Sequence, residues 1–244
     1  MSPSMHERKH VFHFPTLLGL IFCLTLIILA EKLLIRSALA DTTQPTEEKV
    51  YIFLKPVVEP GKLPKITIFS LFFDEKTKVG KIPVRVEPVG FWRSKKTFND
   101  TLYDLFEIPG GSHTTEVGEP MISTISVEVE IPADAHFKEV LVKATLIRKF
   151  ENIILAPQQE PLPVVRPIVP KEEFIQEKPK FTINNEVYNQ TRPYPGEYYR
   201  IIADSFLGEC HIIVVRLFPI QFYPAQKEVR VSSLEMEVIF TKQE

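Results

Sequence analysis

A chain of 244 residues that is 44% apolar and 25% charged carries enough apolar side chain for a folded core, which excludes wholesale disorder. Its formal charge of −2 provides no basic field, so nucleic acid is excluded as a natural partner. Proline outnumbers glycine 21 to 9, and proline is barred from helix interiors but tolerated at strand ends, which favours an all-β chain.

The N-terminus carries Arg8 and Lys9, with His6 and His10, ahead of an apolar run over residues 16–30. A positive region, an apolar region and a small-residue site make the pattern of a secretory signal. Cleavage is readable after Ala30 and after Ala40, and Ala38-Leu39-Ala40 ahead of Asp41 favours the second, giving a signal peptide over residues 1–40. The alternative is an uncleaved anchor, for which the run is shorter than the ~20 residues a spanning helix needs. On either reading the rest is exported, to be secreted, periplasmic or at the cell surface, and touches a membrane only through an uncleaved N-terminal segment. Cys23 follows Phe22, too large a residue for a lipidation site. That leaves Cys210 alone in the mature chain, so a disulfide framework is not expected.

Residues 41–49 read as a polar linker. From Val50 onward short β-type runs are separated by turn residues, at 50–54, 66–73, 84–87, 102–108, 122–131, 139–150, 198–203, 211–218 and 229–240, and helix is nearly absent. Over residues 125–131 apolar and polar residues alternate strictly, as in an antiparallel strand with one face on the core. Ile212-Ile213-Val214-Val215 is apolar on both faces and reads as a central strand. In the last run the apolar phase switches at Ser232-Ser233, which predicts a β-bulge. Between two of these runs lie Pro157, Pro161, Pro163, Pro167 and Pro170, a density that predicts an extended excursion from the sheet.

No catalytic, cofactor or metal constellation is legible. His113, His136 and His211 lack ligand spacing, and there is no His-Glu-x-x-His, Cys-x-x-Cys or phosphate-binding glycine loop. Cys210 and His211 are neighbours in a strand and point to opposite faces, which excludes a thiol-imidazole dyad. Gly110-Gly111-Ser112-His113 reads as a turn. Glu128 with Glu130, and Glu235 with Glu237, read as solvated strand faces, a Ca²⁺ or glycan role being the alternative. Asn99-Asp100-Thr101 and Asn189-Gln190-Thr191 fit a glycosylation sequon too short to weigh. Trp92, Tyr194, Tyr198, Tyr199 and Tyr223 fit core packing or loop anchoring better than a sugar platform, because the tyrosines cluster beside prolines.

Five landmarks follow one another in a fixed order. A strand over residues 103–108 runs into Pro109-Gly110. Gly118-Glu119-Pro120 comes next, then Ile154-Leu155-Ala156-Pro157 and Tyr194-Pro195-Gly196-Glu197. The last is Pro219-Ile220-Gln221-Phe222-Tyr223-Pro224 with Val229-Arg230-Val231 and Val238-Ile239-Phe240. In order and spacing they resemble the propeptide domain of gingipain-type, caspase-like cysteine peptidases (clan CD, family C25), firmly over 103–240 and faintly over 50–100. Met121-Ile122 departs from the Leu-Pro usual after the Gly-x-Pro signature. The resemblance implies an antiparallel, jelly-roll-like β-sandwich over residues 50–244. It further implies a non-catalytic domain that holds a cysteine peptidase latent and assists its folding by occupying its cleft. The family's catalytic domain is not represented in these residues, so action in trans or an orphaned zymogen fragment is expected. The alternative function is an extracellular β-sandwich that binds glycan or protein. For a peptidase partner the candidate contact loop is Pro157, Pro163, Val165, Arg166 and Pro167. Arg166 shares residues 157–170 with a single other charge, Glu160, and can be offered to an acidic specificity pocket in a bidentate contact.

Overall fold

The computed structural model describes residues 49–56, 59–161 and 180–242. The signal and linker segments through residue 48 lie outside the described residues, as do Pro163, Val165, Arg166 and Pro167. Strict alternation makes β8 (Ser123–Ile131) as expected: Ile125, Val127, Val129 and Ile131 are buried, while Ser126, Glu128 and Glu130 are exposed. It pairs with β11 (Cys210–Leu217), whose other edge pairs with β10 (Tyr199–Leu207), and β7 (Ser112–His113) completes a four-stranded sheet. The apolar quartet in β11 is therefore central.

A six-stranded sheet faces this one across a continuous apolar core. At its centre runs β13 (Glu228–Lys242), flanked along its length by β9 (Ala135–Phe150). On its other side β13 pairs first with β12 (Ile220–Tyr223) and then with β4 (Val79–Glu87). β2 (Lys65–Ile68) and β3 (Phe72–Asp74) both pair with β4. A third sheet joins β1 (Val50–Phe53), β5 (Gly90–Phe98) and β6 (Thr101–Glu107). Every strand pairing described is antiparallel. Phe91 and Phe106 of the third sheet stack at 4.8 Å and meet Phe150 of β9 edge-on at 5.4 and 5.7 Å.

The departures from the sequence reading have physical causes. β4 starts at Val79 and not at Val84, because Gly80 is no turn: a Cβ there would lie 2.2 Å from the buried Phe240 ring, so only glycine lets the strands close. β5 went unanticipated because Lys95, Lys96 and Thr97 are exposed and mask its period. Its hairpin to β6 turns on Asn99 and Asp100, both at positive φ, the geometry that Asn and Asp tolerate best after glycine. The run expected at 66–73 is two strands, since the Phe69 N–H turns to the Pro83 carbonyl between them. Outside the expected runs, Leu155 and Pro157 form isolated bridges to Asp104 and Pro120. The register irregularity expected at Ser232-Ser233 falls between Val231 and Ser232, where β13 exchanges β12 for β4; the extra residue, Ile147, belongs to β9. β10 runs on to Leu207 and β9 begins at Ala135, each beyond its expected bound.

One buried carboxylate ties β13 to β9. The Glu228 side chain is 5% exposed and sits 2.7 Å from Lys149 Nζ and 2.6 Å from Arg230 Nε. Burial pushes its pKa up, but the bonds and charges of Lys149 and Arg230 outweigh this and hold it below the ordinary 4.5. A folded-state pKa below the unfolded one contributes stability above pH 4.5 that is lost as pH falls through the lowered value. Urea midpoints between about pH 3 and 6 are expected to fall on the acid side in the wild type, and less steeply in Glu228→Gln. Identical slopes would contradict this.

Candidate functional site

The described residues on either side of the proline-rich segment, 154–161 and 180–184, meet at one place, and the landmark residues build it. Gly118, at φ +85, turns the chain between β7 and β8. The turn is pinned by the buried Thr114, whose hydroxyl donates to the Pro120 carbonyl at 3.1 Å and accepts from the Ile122 N–H at 3.0 Å. The outgoing leg lies along it. Met121 N–H donates to the Ala156 carbonyl (2.8 Å), Gln158 N–H to the Glu119 carbonyl (2.8 Å) and Gly118 N–H to the Gln158 carbonyl (2.7 Å). Pro120 and Pro157 face each other in the same bridge, both buried. The returning leg ends on the same glycine, since the Asn184 N–H donates to the Gly118 carbonyl at 2.7 Å. A Cβ on Gly118 would come within 3.1 Å of that nitrogen and 3.2 Å of Thr182.

Two further ties cross between the legs. The Gln159 amide donates to the Thr182 carbonyl (2.8 Å) and accepts from the Thr182 N–H (2.9 Å). Phe181 stacks on Phe98 at 5.4 Å and leans on Tyr103 at 6.1 Å. A groove of about 400 Å³ opens beside them, lined by Lys96, Phe98, Met121, Pro157, Gln159 and Phe181. After the returning leg, Asn184 caps α1 (Asn185–Asn189) by accepting from the N–H groups of Glu186 and Val187.

The remaining landmarks support this base. Tyr194 follows α1 and bridges to Phe222 of β12, each N–H donating to the other's carbonyl (2.7 and 2.8 Å), and the Tyr194-Pro195 bond is cis. The Tyr194 hydroxyl donates to Glu119 Oε2 at 2.9 Å; burial first, and then this carboxylate, push its pKa well above the ordinary phenol value. Gln221 fastens the next turn, accepting from the Gly196 N–H (3.2 Å) and donating to the Glu197 carbonyl (2.8 Å). Pro219 accepts from the Ser232 N–H, Pro224 opens a 3₁₀ turn, and Arg230 lies 4.1 Å over the Tyr223 ring.

A family model, Propeptide_C25, matches residues 59–244. The chain belongs to the C25 propeptide family. Two solved structures of Porphyromonas gingivalis proteins share its fold. One, reported for the zymogenic latency of gingipain K, aligns with a TM-score of 0.56 at 17% identity, over 80% of this chain and 99% of that one. The other, a complex of RgpB pro- and mature domains, aligns with a TM-score of 0.50 at 15% identity, over 73% of this chain and 83% of that one. No curated protein matches the sequence.

In this C25 propeptide four of the five landmarks, those holding Gly118, Ala156, Tyr194 and Phe222, meet at the base of the proline-rich segment. Pro109 and Gly110 turn elsewhere, next to Leu63. Of the candidate contact residues only Pro157 is described, and it belongs to the buried base. Sequence reasoning missed Gln159, Phe181 and Thr182, which carry no signal of their own, and also Asn184, whose capping side chain was a signal it did not use. The other candidates stand apart. His211 is buried, its ring 3.1 Å from the Ala135 carbonyl and 2.6 Å from Asp204, on the face opposite the half-exposed Cys210. Glu130 pushes the Cys210 thiol pKa up, which disfavours a thiolate. Burial pushes the His113 pKa down, and its Nε2 has no partner. Trp92 packs edge-on against Tyr51. Among the described residues no group of three or more His, Cys, Asp or Glu is placed to hold a metal.

Proposed function

We propose that this C25 propeptide is a non-catalytic, exported domain that binds a gingipain-type cysteine peptidase and holds it latent or assists its folding, in trans or within a zymogen. One observation carries the reading: both legs of the proline-rich segment are fixed side by side on the Gly118 turn by the family's own landmarks. Flanks so fixed suit the engagement of the intervening residues by a cleft built for extended peptides. Proline among those residues lowers the ordering entropy lost on binding. The solved complex of RgpB pro- and mature domains supports such pairing in a relative. In this reading Arg166 enters an acidic specificity pocket.

The full chain, mixed with mature gingipain K and mature RgpB, is expected to inhibit at least one of them. Arg166→Ala is expected to weaken that inhibition ten- to a hundredfold, roughly 1.4 to 2.7 kcal/mol. A change within about twofold would remove Arg166 from the contact, and no inhibition by the unaltered chain would overturn the reading. Export is tested separately: mass spectrometry of the secreted form is expected to begin at Asp41, and an intact Met1 in a membrane fraction would show an anchor instead.

A further inference from the structure

We propose that the outer face of the four-stranded sheet, centred on Ile212 and Val214, is the surface against which the mature domain of a gingipain-type peptidase docks. The proposal rests on the reading that the chain binds such a peptidase. An antiparallel strand with one face in water alternates apolar with polar residues, as β8 does. β11 breaks that rule. Ile213 and Val215 fill the core, while Ile212 and Val214 point the other way, only half-buried, and belong neither to the core cluster nor to the apolar side chains packed against it. Their cross-strand neighbours on β10, Ser205 and Ala203, are too small to shield them. Leu207, 74% exposed and paired with Cys210, extends the apolar strip.

The charges beside this strip are not spent within the chain. Glu130 and Glu128 of β8 are exposed next to Ile212 and Val214, and neither pairs with a cation among the described residues. Glu237 and Glu235, on the outer face of the other sheet, do pair, with Lys81 at 3.6 Å and Arg85 at 2.9 Å. Further along β11, Arg216 is set opposite Arg200, and its Nε is buried without a hydrogen-bond partner among the described residues. An apolar strip with a carboxylate row along one side and a guanidinium at one end fits a protein surface of the converse pattern, an apolar ridge flanked by lysine or arginine and ending on a carboxylate. Position makes the peptidase that protein. Arg200 reaches Glu116 in the Gly118 turn at 3.8 Å, so an enzyme engaged at that turn has this face as its next neighbour.

The test titrates the full chain with mature gingipain K and mature RgpB, and reads the Kd, the Tm and the carbodiimide labelling of carboxylates by mass spectrometry. Leu207→Asp is expected to raise the Kd about tenfold with an unchanged Tm, since its side chain is exposed in the free chain. Glu128→Lys with Glu130→Lys is expected to slow association about tenfold at low salt and to flatten its salt dependence. Leu141→Asp, on the outer face of the six-stranded sheet, is expected to bind within about twofold of the unaltered chain. Labelling needs no variant: on complex formation it is expected to fall about fivefold at Glu128 and Glu130 and to stay unchanged at Glu235. If the unaltered chain binds, while both face variants stay within twofold and Glu128 and Glu130 label as before, the docking face is wrong and the peptidase reading stands. If the unaltered chain binds neither enzyme, the peptidase reading fails and the docking face with it. A dimer of the free chain that Leu207→Asp dissolves, with enzyme binding unmoved, would give the face to a second copy and overturn the proposal.

Discussion

Phe222→Ala is expected to destabilise the domain by about 4 kcal/mol, the range for truncating a fully buried phenylalanine. Phe222 is 1% exposed, and its strand β12 is only four residues long. Its ring meets Tyr188 at 6.1 Å, and its backbone carries both bonds of the Tyr194 bridge. The cavity left by alanine therefore opens where the core meets the base of the proline-rich segment. For a domain of this size the Tm is expected to fall by roughly 8–16 °C, with an unchanged urea m-value. A fall below about 3 °C would show that the site collapses around the gap and that β12 is no keystone.

Gly118→Val is expected to have the second largest effect, about 2–3 kcal/mol, and to concentrate it at the functional end. The backbone at φ +85 is strained for any L side chain and worst for a β-branched one. The added Cβ also presses on Asn184 N and Thr182, with 3.1 and 3.2 Å available. Relief requires the returning leg to move off the turn, which breaks the Asn184 to Gly118 bond. Inhibition is thus expected to weaken more than global stability does. Amide exchange checks this, with faster exchange expected at Gln158 and Asn184 and little change along β8 and β11. Uniform acceleration across the sandwich would contradict a local role.

β8 and β13 were legible in the sequence because their apolar phase is regular, and the switch at Ser232-Ser233 was visible as a break in that phase. β5 was not, because its burial comes from packing under Tyr51 and Phe150 and not from its own alternation. The start of β4 was hidden for a related reason: a glycine such as Gly80, which admits a facing ring, is indistinguishable in sequence from one that turns the chain. At the base of the proline-rich segment the turn-forming residues showed themselves through unusual chemistry, Gly118, Pro120, Pro157 and the Tyr194-Pro195 pair. Gln159 and Thr182 stayed invisible because an amide gripping a backbone 23 residues away leaves no local pattern.

The most direct measurement of the central claim is a binding titration of the full chain against a mature gingipain-type peptidase, with its cleft free and with its catalytic cysteine capped by a covalent peptidyl inhibitor. A propeptide acting through the cleft gives a one-to-one complex with the free enzyme and binds the capped enzyme at least about tenfold more weakly. No complex at micromolar concentration, or equal affinity for the two forms, would contradict it.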